Sequence, residues 1–298
     1  RTYIMWNKHG LIFTESKAQC PIVSDNDDYW RIYFTDRNNY NQNIANFLDV
    51  EKGNPRKHLY KKEYLIKPGN PGSLDADGVM PTAFHENYLY YIGWTLRKDV
   101  PYFNYTCVAQ KVSEAYFKLG PVLSPCMKDP GYCGTLGIIK KDHLLLGYYL
   151  SCQKWIPDEN NKLQPSYDIK IATSIDGITW NKLGKTAIKL EGKEAGATSA
   201  TIIKHDGVFH MWFCVRHAEN FRSDVVKAYK IKHATSDDGY NWTRDENYGI
   251  LPELEFEQIM CAYPNVTVFD NKIHMFYNGD GFGNAGIAYA TMELKDLC

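Results

Sequence analysis

The sequence predicts an all-β chain, a five-bladed β-propeller with four antiparallel strands per blade. Three observations lead there. Strand-length apolar and aromatic runs recur at about 60-residue intervals, five times along the chain. Two turn phrases are near copies, KIATSIDGITW at 170–180 and KHATSDDGYNW at 232–242. The string W-N-K-x-G occurs twice, at 6–10 and at 180–184.

Each repeat begins with a short strand: CPIV (20–23), MPTAF (80–84), GTLGII (134–139), SATII (199–203) and YPNVTVF (263–269). A tight polar turn follows (SDNDD, HEN, KKD, KHDG or DN), of the kind that closes a hairpin. Second strands are rich in aromatic and β-branched residues, as in YWRIYFTDRN (29–38) and VFHMWFCVRH (208–217). A long loop leads to the third strand, and the fourth carries a phrase such as TWNKLGKTAIKL or NWTRDENYGILP. The fifth repeat stops after its third strand, AGIAYATMEL. Its fourth is expected from the N-terminus, residues about 3–14, so that residues 1–298 form one propeller domain without exposed sheet edges. Asp176 and Asp238, in the copied turns, read as turn-formers.

Composition narrows the function. The 34 basic and 35 acidic residues of the 298 balance, which argues against a nucleic-acid partner. No window reaches the roughly 18 apolar residues of a membrane helix. No basic segment followed by an apolar one marks a leader. Several of the 8 cysteines sit in apolar runs, so free thiols and a cytoplasmic location are expected. Cys20 and Cys261 fall at comparable places on neighbouring blades and are expected to be close. No H-E-x-x-H or paired C-x-x-C spacing occurs, so neither a metal nor a cofactor is expected. A structural cation in the central channel is the one metal role left open. GDGFGNAG (279–286) has no helix pattern after it, and no G-x-S-x-G elbow is present. Nothing in the sequence sets the oligomeric state.

Loops between second and third strands are long and those within hairpins short, so one face should carry the site. The ends of second strands bring Arg37, Trp94, Trp155, Arg216, His217, Asn278 and Asp280 to that face. The links into first strands bring Asp75, Asp77, Glu194, Glu257 and Tyr263. Carboxylates, arginines and aromatics converging on a depression suit a carbohydrate or sugar-nucleotide ligand. Asp77 is the candidate base or nucleophile, with Glu194 or Glu257 as proton donor.

The phrases AQCPIV with IYFTDRN, LDADGVMP, YYIGW, the two ATS-x-DG-x-x-W turns, and AYPNVTVF with FYNGDGFGNAGIAYA together resemble the five-bladed propeller glycosidases related to arabinanases, β-xylosidases and fructosidases. They are most similar to a bacterial predicted-glycosidase subgroup associated with surface polysaccharides. The resemblance implies glycoside hydrolase-like chemistry. In the hydrolytic relatives an Asp directly precedes the Pro of the first blade; here that place holds Gln19 and Cys20. The resemblance therefore leaves open glycosyl transfer, phosphorolysis and non-catalytic glycan binding.

Overall fold

The computed structural model describes residues 6–297, and over them the protein is built almost entirely from strands. Strand β1 (Asn7–Phe13) comes first; of the expected strand at 3–14, residues 3–5 lie outside the described part. Then follow β2 (Gln19–Asp25), β3 (Tyr29–Arg37), β4 (Asn43–Glu51) and β5 (Asn54–Lys62), each antiparallel to the last. The same meander repeats as β6 (Gly78–His85), β7 (Tyr88–Leu96), β8 (Tyr102–Val112) and β9 (Ala115–Leu123). It repeats again as β10 (Tyr132–Lys141), β11 (Leu144–Pro157), β12 (Leu163–Ser174) and β13 (Asn181–Ile188). A fourth copy is β14 (Glu194–His205), β15 (Val208–His217), β16 (Lys230–Ser236) and β17 (Thr243–Ile250). The last holds β18 (Ala262–Phe269), β19 (Lys272–Asn278) and β20 (Ile287–Glu293), and β1 pairs antiparallel with β20, Asn7 opposite Thr291.

First strands of successive meanders touch one another in order, β2 to β6, β10, β14 and β18, and β18 in turn touches β2. All five first strands carry a register shift near their beginning. In three of them a non-glycine residue adopts positive φ at that shift: Cys20 (53°), Ser199 (58°) and Tyr263 (55°). Such bulges turn the strand and re-aim its side chains.

Aromatic side chains join neighbouring meanders. At the head of β13, Trp180 packs edge-on against Tyr90 of the preceding meander, 6.2 Å between centroids. Ahead of β17, Trp242 meets Tyr148 in the same way at 5.3 Å. Ahead of β1, Trp6 meets Trp212 at 5.8 Å and donates Nε1–H to the Tyr248 carbonyl. The two W-N-K phrases thus occupy equivalent places. The copied turns belong to this joint. Asp176 Oδ1 accepts the amides of Ile178 and Thr179, and Asp238 Oδ1 those of Tyr240 and Asn241. Those amides hold the Asp176 carboxyl down at about 2. Gly177, at φ 75°, offers its carbonyl to both Tyr90 and Trp180, a conformation costly for any side chain.

His210 and His233 are buried side by side, Nδ1 to Nε2 3.2 Å, between Trp212 and Tyr248. Burial holds His210 at about 4 and His233 at about 3, below the ordinary 6.5 of a histidine. The unfolded chain therefore takes up these protons at a pH where the folded one does not. Stability from this pair is complete above about pH 6.5 and lost as pH falls toward 4. The unfolding midpoint should drop across that window, and in His233→Phe the drop should be shallower. An unchanged slope in the variant would refute the assignment.

Candidate active site

One mouth lies where the bulged beginnings of the first strands meet the ends of the second strands. It encloses about 370 Å³ and is lined by Arg37, Asp77, Trp94, Arg216 and Tyr263, five of the residues singled out from sequence. Lys17, Gln19, Asn43, Tyr102, Tyr167, Phe221, Arg222, Tyr229 and Phe282 complete most of the wall. Met80, Ile92 and Cys20 pack beneath Trp94 and Tyr263 as an apolar floor.

Asp77 is the one carboxylate among the residues lining the mouth. It precedes Gly78, whose backbone bridges Asn43 of β4; a Cβ on Gly78 would stand 2.7 Å from the Asn43 amide nitrogen. Only glycine permits that approach, which seats Asp77 at the seam of two meanders. The Asp77 amide donates to the Trp94 carbonyl (3.0 Å), and Asp77 Oδ2 accepts from the Leu96 amide (2.7 Å).

Four cations line the same mouth: Arg216 is buried, Lys17 half-buried, and Arg37 and Arg222 exposed. Arg216 is 2 % exposed and donates to Tyr167 Oη (3.1 Å), the Pro165 carbonyl (2.8 Å) and the His217 carbonyl (2.8 Å). Its guanidinium lies between the Tyr167 and Phe221 rings, 4.9 and 4.3 Å from their centroids. Tyr167 and Tyr229 share a short hydroxyl–hydroxyl bond beneath it. Burial, reinforced by the neighbouring Tyr167, pushes the Tyr102 phenol up to about 12. Arg37 donates to Asn41 Oδ1 (2.6 Å), and Arg222 stacks on Phe221 at 4.2 Å. The Lys17 ammonium is depressed by burial and then by Arg37. Among the described residues none of the four forms an ion pair with a carboxylate. For the buried Arg216 the lack of a counter-charge is costly, and the cost falls when a ligand brings an anion.

Two further groups are unsatisfied. Trp94 Nε1 and Asn43 Oδ1 are buried without a hydrogen-bond partner. Beyond Tyr102, Gln164, Phe221 and Arg222 the mouth adjoins a second cavity of about 760 Å³, walled by 97–101, 158–163 and 218–223.

The other acids named from sequence are held elsewhere, and by one rule. A basic residue of each meander's fourth strand binds an acid at or just before its first strand. Lys118 binds Asp75 (2.5 Å), Lys182 binds Asp129 (2.6 Å), Arg244 binds Glu194 (2.7 Å) and Lys8 binds Glu257 (2.5 Å). An exposed version joins Lys61 to Glu15 (2.7 Å) in the first meander. Glu194 is gripped by both terminal nitrogens of Arg244, and Glu257 is fully buried. Of the expected proton donors Glu194 and Glu257, neither lines the mouth, and each carboxylate is paired with a cation. Asp75 is paired likewise; it also accepts from Ser73 and Tyr91. Asp280 caps backbone amides of 258–260, and Asn278 ties the Cys20 amide to the Ala18 and Gly286 carbonyls. Trp155 packs on Tyr102 and Tyr132 behind the wall, and His217 stands outside it. Cys20 and Cys261 are both free thiols; Cys261 lies against Glu257 (3.3 Å), and the Cys20 amide donates to Asn278 Oδ1.

Sequence reasoning missed the pairing rule, although its signal is readable. In four meanders the cation follows an aromatic by two places: Trp6-x-Lys8, Tyr116-x-Lys118, Trp180-x-Lys182 and Trp242-x-Arg244. It also missed Arg222 and Tyr229, which lie in an irregular loop and at its exit, and Tyr102 and Tyr167, which stand in β8 and β12. Among the described residues no group of three or more His, Cys, Asp or Glu could hold a metal, and no helix is long and apolar enough to cross a membrane.

No known family profile matches the chain. It is 30% identical over 309 residues to the uncharacterized protein Rv1502 of Mycobacterium tuberculosis strain H37Rv, an alignment covering 97% of this chain and 99% of that one. The uncharacterized protein MT1551 of strain CDC 1551 is 29% identical over the same coverage. Among solved structures, a glycoside hydrolase superposes with TM-score 0.73 at 18% identity, covering 96% of this chain and 91% of that one. A thermostable family-43 glycoside hydrolase gives 0.66 at 13% identity, covering 93% and 91%. A structure from the GH130 family of mannoside phosphorylases, which contains glycoside hydrolases, gives 0.64 at 12%, covering 95% and 86%. At these identities the likeness is one of fold.

Proposed function

The chain belongs to the family of the Mycobacterium tuberculosis protein Rv1502, and from that premise we propose that it is a carbohydrate-active enzyme that makes or breaks a glycosidic bond through an anionic group. We read the five meanders as the blades of a propeller, a reading supported by the cyclic contacts of the first strands and by the glycosidase folds it resembles. The observation that carries the function is that one acid, Asp77, and four cations without an ion-pair partner among the described residues line one mouth. Hydrolysis by two carboxylates needs a second acid across the pocket, and the candidates are engaged in ion pairs. A phosphate, or the diphosphate of a nucleotide sugar, would fill the cationic wall, with Arg37 and Arg222 able to bind it bidentately. Asp77 would move the proton at the glycosidic oxygen. The adjoining cavity would take the remainder of a longer glycan. We place the reaction in bacterial glycan assembly or trimming, in a reducing compartment.

The test is a binding panel of inorganic phosphate, sugar 1-phosphates, nucleotide sugars and neutral oligosaccharides. The phosphorylated sugars should bind at least about tenfold tighter than neutral ones. Arg222→Ala and Arg37→Ala should each weaken them by about 1.5–3 kcal/mol, the worth of a charged hydrogen bond. Equal affinity for neutral glycans, unmoved by either substitution, would end the anionic reading. Tight binding without turnover of any donor would instead make the protein a glycan-binding module.

A further inference from the structure

The third meander holds a second chemical centre, away from the mouth's acid. Link residues 124–131 form a turn closed by two backbone bonds between Cys126 and Asp129. Cys126 is exposed there, outside any strand, whereas Cys133 is buried in β10. Both sulfurs face one ammonium. Lys182 Nζ lies 3.2 Å from Cys133 Sγ and 3.7 Å from Cys126 Sγ, so the two sulfurs are no farther apart than those distances together. Asp129, fully buried, accepts from Lys182, Ser151 and Tyr149, with Lys170 at 3.6 Å, so its charge is compensated. Cys126 Sγ stands 3.5 Å from Asp129 Oδ2.

We propose that Cys126 and Cys133 are a redox couple that closes to a disulfide when a hydroperoxide is present. Cys126 is the exposed sulfur of the pair, so it is the one a hydroperoxide meets first, and it lies beside the Lys182 ammonium. The Cys126 thiolate attacks the distal peroxide oxygen; the O–O bond breaks, and the leaving oxygen takes a proton and departs as alcohol or water. The resulting Cys126 sulfenic acid is then attacked by the Cys133 sulfur. The S–O bond breaks, water leaves with the Cys133 proton, and the S–S bond forms. Each sulfur gives up one electron to the peroxide. Burial pushes the Cys133 thiol up to about 12, which suits the resolving partner rather than the sensor. The adjacent residue, Tyr132, packs on Tyr102 of the mouth wall (5.8 Å), so the bridge would tether a residue next to that wall. In a reducing compartment a bridge of this kind is transient and signalling rather than structural.

The full chain exposed to hydrogen peroxide, then denatured and alkylated, should show two thiols lost from its 8 cysteines. Trypsin should yield peptides 119–128 and 129–140 joined through sulfur and separable by dithiothreitol. In Cys133→Ala, Cys126 should stop at the sulfenic acid and be trapped by dimedone; in Cys126→Ser the joined pair should be absent. Oxidation of Cys126 to sulfinic acid in the wild type with Cys133 still reduced would overturn the proposal. So would a bridge from either sulfur to Lys182 or another cysteine, or an unreacted Cys126. None of these readouts involves a sugar, so the outcome is independent of the mouth's assignment.

Discussion

Asp77→Asn should lower turnover of any glycosyl donor the protein accepts by about 10²- to 10⁴-fold, the usual contribution of a positioned acid–base group. Asparagine keeps the volume, and its amide oxygen can still accept from the Leu96 amide, so the fold should be unchanged. The loss should fall on kcat while KM moves only a few-fold, because a group that acts in proton transfer contributes in the transition state. Glu194→Gln and Glu257→Gln supply the contrast. Their carboxylates answer Arg244 and Lys8, so they should lower the unfolding temperature and leave kcat nearly intact. Steady-state kinetics of the three variants decide the matter. A collapse of kcat in Glu194→Gln at undiminished stability would return the proton-donor role to Glu194.

Lys8→Met should destabilise the protein by about 3–5 kcal/mol, the cost of leaving a buried charge without its partner. Glu257 is 0 % exposed and accepts from Lys8 (2.5 Å), the Leu254 amide (3.1 Å) and the Cys261 thiol (3.3 Å). Lys8 also reaches the Leu251 carbonyl (2.6 Å) and Glu253 (3.2 Å), so one side chain fastens β1 to the link before β18. The double variant Lys8→Met with Glu257→Leu should recover most of the loss, since no uncompensated charge then remains. Chemical denaturation of the single and double variants measures both. If the double variant is no more stable than the single one, the ion pair is not what the lysine supplies.

The strand order was legible because its determinants are local. Alternating aromatic and β-branched runs, tight polar turns and a period near 60 residues mark each meander without reference to its neighbours. The return of β1 to β20 followed from counting, one repeat lacking a strand and one strand lacking a repeat. The site was legible in part. Arg37, Asp77, Trp94, Arg216 and Tyr263 come from four meanders, yet the strand-end rule placed them together, and they line one mouth. Asp75, Glu194 and Glu257 obey the same rule but are diverted by cations that lie 43, 50 and 249 residues away in sequence. Proximity to a loop face says where a carboxylate begins; the side chain opposite decides where it ends. Arg222 and Tyr229 belong to an irregular loop and its exit, where no period points.

The partners in the β1–β20 ladder, such as Asn7 and Thr291, stand far apart in sequence, with every other strand between them. During synthesis β1 must therefore wait, without this partner, until β20 has been made. Pairing across such a separation carries a large loop-closure cost and is a slow step. Until it forms, the outer edge of β20 is open to any passing strand, including β1 of another newly made copy.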